Sequence, residues 1–143
     1  MEIANKYVQR LAAEWCMHKS IIIAVDFDDT ISPWKFSKDE LQGTIECIKQ
    51  AQHAGAYIII NTACHPDRFP EIRSYCNSIG INVDLINETP DHIPYGKHGK
   101  VYANIFLDDR AGLEEAKQIL VAAMSIYRGS MATKSIQHIG EIA

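Results

Sequence analysis

The sequence predicts a single α/β domain in three layers, with a parallel sheet covered by helices on both faces. Apolar segments with the character of strands alternate along the chain with segments whose apolar residues recur at helical spacing. The strand segments are apolar throughout, which is typical of parallel strands that are buried on both faces. At 143 residues the chain is long enough to bury one such core, so we expect one domain over 1–143.

The predicted elements alternate in the order expected for this fold. Helices are predicted over 3–18, 38–54, 67–80 and 112–128, and strands over 20–26, 56–60, 81–86 and 102–109. Gly55 and Gly80 end the second and third helices, and Pro70 is tolerated only in the first turn of the third. The N-terminal helix thus precedes a core over 20–128, and the tail 129–143 is left without an assigned structure.

The composition and net charge of the chain argue against several classes of protein. The formal net charge is −4, which does not indicate a general nucleic-acid or anionic-membrane binder. No apolar run approaches the length of a membrane span, and the N-terminus lacks the apolar region of a secretory signal. We therefore expect a cytoplasmic protein whose four cysteines are reduced thiols. The oligomeric state is not indicated.

Acidic residues cluster at the predicted strand ends. The segment "IIIAVDFDDTIS" runs from an apolar strand directly into Asp26 and Asp28, and a later strand ends in Asp108 and Asp109. Ligands of parallel sheets bind beyond the carboxyl ends of the strands. Crowded carboxylates raise each other's pKa unless a cation or a proton lies between them. Oxygen ligands suit a hard cation, so the sequence predicts a Mg²⁺ site together with a nucleophilic Asp26.

The order of these residues resembles the haloacid dehalogenase (HAD) superfamily of phosphotransferases. A D-x-D-x-T motif (Asp26, Asp28, Thr30) precedes Thr62 at the end of the second strand, and a lysine precedes the strand-terminal pair of aspartates. The resemblance covers roughly residues 20–125. It implies a Rossmann-like fold, a Mg²⁺ cofactor and hydrolysis of a small phosphorylated substrate through an aspartyl-phosphate.

The resemblance also implies a role for each matching residue. Asp26 is expected to be the nucleophile and a metal ligand. Asp28 is expected to be the general acid/base and to contact Mg²⁺ through its backbone carbonyl. Thr62 is expected to bind the phosphoryl oxygens. Asp108 is expected to bind the metal, with Asp109 in support.

Other positions near the motifs are less determined. Lys100 is preferred as the catalytic and phosphate-binding lysine because it leads directly into the fourth strand, and Lys97 is the alternative. Arg68, which follows Thr62, is a candidate for substrate binding. The short segment between the first motif and the next helix predicts a member without a cap domain. Residues 34–36 either line the entrance of the site or form a flap packed on the core.

Three other interpretations of the motifs agree less well with the sequence. The stretch "GKHGK" lacks the first glycine and the Ser/Thr of a phosphate-binding Walker A loop, so it is rejected. A receiver-like signalling module would carry its lysine after the threonine, on a last strand, and here the lysine precedes the acidic pair. A catalytically idle relative that binds phosphate is the remaining alternative, although every motif position is filled.

Overall fold

Four parallel strands form a sheet at the centre of the fold. The computed structural model describes residues 5–142 and the side chains of residues 6–134. The strands are β1 (Ile22–Val25), β2 (Tyr57–Ile60), β3 (Leu85–Ile86) and β4 (Ile105–Leu107). They lie in the order β3-β2-β1-β4, and every pair is parallel. All four strands are shorter than predicted, and the two that are shortened most, β3 and β4, lie at the edges of the sheet, where a strand pairs on one side only.

Four α-helices accompany the sheet. They are α1 (Asn5–His18), α2 (Lys38–His53), α3 (Phe69–Ser78) and α4 (Leu113–Ile142), and a 3-10 turn (Pro66–Arg68) leads into α3. Ser37 and Glu40 form a reciprocal capping box that fixes the start of α2. Residues 3 and 4 of the predicted first helix lie outside the described residues. Within residues 5–142, no helix combines the length and apolar character needed to cross a membrane.

The tail that had no predicted structure is helical. α4 continues through residues 129–142, and residue 143 lies outside the described residues. The glycines at 129 and 140 do not end the helix, because a glycine inside a helix lowers its stability by only about 1 kcal/mol relative to alanine.

The two faces of the sheet are buried by different partners. Ile23 and Ile58 are fully buried in a large cluster with side chains from all four helices. The opposite face, which includes Ile22 and Ile59, packs against Val101 and other residues of the segment 87–104. This segment contains two prolines and two glycines, at 90, 94, 96 and 99, which do not favour a helix. The segment 87–104 thus forms the second layer, which covers this face of the sheet. Residues of α1 line a groove along it.

The predicted fold class, a parallel α/β domain of three layers, is therefore confirmed, although the second face is covered by the segment 87–104, where the sequence predicted helices. The loops after β1 and β2 contain no inserted domain in the described part of the chain. The carboxyl ends of the strands, where ligands bind in such sheets, are consequently open to solvent.

Candidate active site

The sheet continues for one residue beyond each central strand, and this places the polar residues that follow. The amide of Asp26 donates to the carbonyl of Leu107 at 2.9 Å, and the amide of Asn61 donates to the carbonyl of Val25 at 2.9 Å. A cavity of about 450 Å³ lies at this edge, and its lining includes Asp26, Asp28, Thr62, Asp108 and Asp109. The structure thus brings together the aspartates and the threonine that the sequence predicted at the strand ends.

Three carboxylates form a tight cluster. One oxygen from each of Asp26, Asp108 and Asp109 lies within 4.8 Å of the other two. The fully buried Thr30 joins them: its hydroxyl lies 2.9 Å from Oδ2 of Asp26 and 3.3 Å from Oδ1 of Asp109. The amide of Asp109 donates to the Thr30 oxygen at 3.0 Å. Thr30 therefore connects the two strand ends that carry the acids.

The cluster changes the acidity of Asp26. The pKa of Asp26 is raised from its ordinary 3.8 to about 7, chiefly by burial; the hydrogen bond from Thr30 opposes the rise, and the neighbouring Asp109 and Asp108 carboxylates add to it. A carboxyl group that holds its proton to neutral pH is one whose negative charge lacks compensation. The donor set consists of oxygens only, which fits a hard divalent cation such as Mg²⁺.

The carboxylate of Asp28 faces a different group. Its Oδ2 lies 3.5 Å from Nη1 of Arg68 and 3.5 Å from Sγ of Cys64, and Arg68 also contacts the sulfur at 3.1 Å. The metal ligands predicted from the sequence are Asp26, Asp28 and Asp108, with Asp28 acting through its backbone carbonyl, and the position of the Asp28 side chain does not test that prediction. In the structure the third carboxylate beside Asp26 and Asp108 is that of Asp109. The side chain of Asp28 is thus directed to Arg68, which the sequence had proposed as a substrate-binding residue.

Thr62 is held by a residue that the sequence analysis did not single out. Oδ1 of Asn87 accepts from the Thr62 amide at 2.7 Å, and Nδ2 of Asn87 donates to the Thr62 carbonyl at 2.8 Å. Asn87 has a φ of 57°, a left-handed conformation that asparagine tolerates better than most residues. The hydroxyl of Thr62 accepts from the Cys64 amide at 3.1 Å. The sequence signal would have been an asparagine directly after β3.

The two candidate lysines lie on the second layer. Lys97 donates to the carbonyls of Thr89 and Pro90, each at 2.9 Å, and so ties the loop together. The ammonium of Lys100 lies 5.5 Å from the ring centroid of Phe106. Among the described residues neither lysine lines the cavity, and the basic side chain that does is Arg110. The role of Lys100 therefore stays a prediction.

Asp29 organises the loop that follows β1. It is 5% exposed, it has a φ of 62°, and its Oδ1 accepts from the amides of Trp34, Lys35 and Phe36 at 2.8–3.0 Å. Burial alone would raise the pKa of Asp29, but the three amides outweigh it and hold the pKa below its ordinary value. Asp29 therefore serves the turn after β1.

Comparisons with known proteins support the fold. No family model and no curated protein matches the chain. A solved structure of a conserved protein from Bacteroides thetaiotaomicron is similar, with a TM-score of 0.53 and 25% sequence identity. The match covers 64% of this chain and 77% of that protein. What this chain shares with it is a parallel α/β fold.

Proposed function

We propose that this protein is a Mg²⁺-dependent phosphatase of the HAD superfamily that hydrolyses a phosphate monoester through an aspartyl-phosphate. The observation that carries the proposal is the cluster of Asp26, Asp108 and Asp109 oxygens within 4.8 Å of one another at the carboxyl ends of β1 and β4. A purely structural cluster would be paired with basic side chains, because uncompensated carboxylates destabilise a fold. Here burial and like charges raise the pKa of Asp26 to about 7.

The residues that would hold the metal are Asp26 and Asp108, with Asp109 in support. When bound, Mg²⁺ would neutralise the carboxylates and the charge that develops on the equatorial oxygens of the transferring phosphoryl group. Thr30 keeps Asp26 and Asp109 in register through its hydroxyl, so the ligands are arranged in advance.

The proposed reaction has two steps. In the first, a carboxylate oxygen of Asp26 attacks phosphorus, the bond from phosphorus to the ester oxygen breaks, and Asp28 donates its proton to the leaving oxygen. In the second, Asp28 takes a proton from water, which attacks phosphorus and returns Asp26 as a free carboxylate. Nη1 of Arg68 lies 3.5 Å from Oδ2 of Asp28 and so holds that side chain beside the 3-10 turn.

The phosphoryl oxygens need donors besides the metal. Thr62 is the proposed hydroxyl donor, and Asn87 fixes its backbone from both sides. Lys100 remains the proposed lysine, and Arg110 is a basic group that already lines the cavity. Since no second domain covers the site in the described residues, the proposed substrate reaches it directly from solvent.

Release of inorganic phosphate from a panel of phosphate monoesters, with and without Mg²⁺, tests the proposal. We expect turnover that requires Mg²⁺ and is lost in Asp26→Asn. Asp39→Asn, an exposed aspartate in the first turn of α2, is the matched control and should behave as wild type. Absence of turnover across the panel, or turnover that survives in Asp26→Asn, would contradict the proposal.

A further inference from the structure

Trp34 stands at the mouth of the cavity. It is 67% exposed, yet it lines the same cavity as Asp26, Asp28 and Thr62. The cavity volume of about 450 Å³ lies in the range of small-molecule sites. Of the two alternatives that the sequence left open for residues 34–36, the structure has Trp34 at the entrance and not in a flap packed on the core.

The exposed indole is held on a fixed piece of backbone. The buried carboxylate of Asp29 accepts from three consecutive amides, including that of Trp34 at 3.0 Å. Further back in the same loop, the amides of Ile31 and Ser32 donate to the carbonyl of Phe27 at 3.1 and 3.0 Å. The fully buried Ile31 anchors the loop in the core, and the loop holds Trp34 at the mouth of the cavity with its ring exposed. A large aromatic ring presented in this way offers a stacking surface to a planar ligand.

The surroundings of the ring define the ligand chemistry. The ammonium of Lys35 lies 4.9 Å from the centroid of the Trp34 ring, so the entrance combines an aromatic face with a positive charge. In the same loop, Oδ1 of Asp29 accepts from three backbone amides and is therefore not available to sugar hydroxyls. Flat apolar contact with a neighbouring cation suits a planar heteroaromatic ring attached to a phosphate better than it suits a bare sugar.

We propose that Trp34 is a base-stacking subsite and that the substrate class is a free nucleoside monophosphate, whose phosphate reaches Asp26 while its base lies on the indole. This inference rests on the proposed function for the chemistry at Asp26, although stacking itself requires no turnover. A free nucleotide is favoured over a nucleic-acid end because the chain carries a net charge of −4.

Tryptophan fluorescence tests binding without turnover. The chain has two tryptophans, and Trp15 is 0% exposed, so a ligand at the entrance quenches Trp34 and leaves Trp15 as an internal reference. Adenosine 5′-monophosphate and ribose 5-phosphate are titrated with Mg²⁺ into an Asp28→Asn background, in which turnover is slow. We expect saturable quenching by the nucleotide and roughly thirtyfold weaker binding of the sugar phosphate, the factor that corresponds to about 2 kcal/mol, the middle of the range for a stacked base. Trp34→Phe should remove the quenching.

Kinetics give the second readout. The ratio of kcat/KM for adenosine 5′-monophosphate to that for ribose 5-phosphate should be about ten or more in wild type and should fall toward one in Trp34→Ala. Phe36→Ala is the matched control, because Phe36 lies in the same loop and is bound to Asp29 but lines a different cavity. It should keep the preference of the wild type.

The outcomes separate the two proposals. Quenching by the nucleotide without turnover of any monoester would support the stacking subsite and contradict the phosphatase. Turnover with equal binding of the nucleotide and the sugar phosphate would overturn the subsite and leave the phosphatase intact. Tighter binding of a 5′-phosphorylated oligonucleotide than of the free nucleotide would overturn the assignment to free nucleotides.

Discussion

The raised pKa of Asp26 makes the stability of the metal-free protein depend on pH. The pKa of Asp26 is raised from 3.8 to about 7 by burial and by the carboxylates of Asp108 and Asp109. Between these two values the folded chain keeps a proton that the unfolded chain has released. Unfolding therefore releases a proton in this window, and the stabilising contribution is complete below about pH 4 and is lost as pH rises to about 7.

The magnitude follows from the shift. About three pKa units correspond to about 4 kcal/mol at roughly 1.4 kcal/mol per unit. Asp26 is only half-buried, so solvent screening reduces the expected effect to about 2 kcal/mol. For a domain of this size, that is a change of about 6 °C in the midpoint of thermal unfolding. Saturating Mg²⁺ should restore more stability at pH 8 than at pH 5, where protons compete for the same oxygens.

The assay is thermal unfolding of wild type, Asp26→Asn and the Asp39→Asn control, each at several pH values with a chelator or with Mg²⁺. Without metal, Asp26→Asn should equal wild type near pH 4 and be about 2 kcal/mol more stable near pH 8. The control should follow wild type throughout. If the unfolding midpoints of wild type and Asp26→Asn changed with pH in parallel, or if Mg²⁺ stabilised both proteins equally, the raised pKa of Asp26 and its role as a metal ligand would be contradicted.

Three further predictions concern the parts around the cluster. Lys100→Ala should lose at least about a hundredfold in turnover without a change in thermal unfolding. Lys97→Ala should instead lower the unfolding midpoint, because two carbonyls lose their donor. The reverse pattern in activity and calorimetry would exchange the roles of the two lysines. Asp29→Ala should lower the unfolding midpoint, measured by circular dichroism, since three loop amides lose their acceptor; an unchanged midpoint would contradict its role. Asn87→Gly keeps the left-handed backbone but frees Thr62, so KM for a phosphate ester should rise several-fold at about 1 kcal/mol per lost hydrogen bond; an unchanged KM would show that Thr62 needs no such support.

Much of the fold could be predicted because it depends on local pattern. Continuous apolar segments marked the strands, whereas the order of the strands in the sheet was not predicted. The tail escaped prediction because the glycines at 129 and 140 are usual helix ends, and the long α4 passes through both. The second layer, built by the segment 87–104, depends on long-range burial that no local pattern encodes.

In the candidate site, too, the residues placed by local pattern were predicted and those placed by long-range contacts were not. Asp26 and Asp108 could be predicted because they directly follow strands, so the sheet itself places them. The contact of the Asp28 side chain with Arg68 could not be predicted, since it depends on where the 3-10 turn places Arg68. The support of Thr62 by Asn87 likewise joins residues 25 apart in sequence.

The central claim is that Asp26 becomes covalently phosphorylated, and intact mass of the Asp28→Asn protein tests it most directly. With an aryl phosphate such as p-nitrophenyl phosphate and Mg²⁺, the leaving group departs without a proton, but hydrolysis of the aspartyl-phosphate lacks its base. We expect a burst of phenolate together with a protein heavier by one phosphoryl group, and neither signal in Asp26→Asn. A phosphoryl group on the Asp26→Asn protein, or a full burst of phenolate from it, would contradict the assignment of Asp26 as the nucleophile.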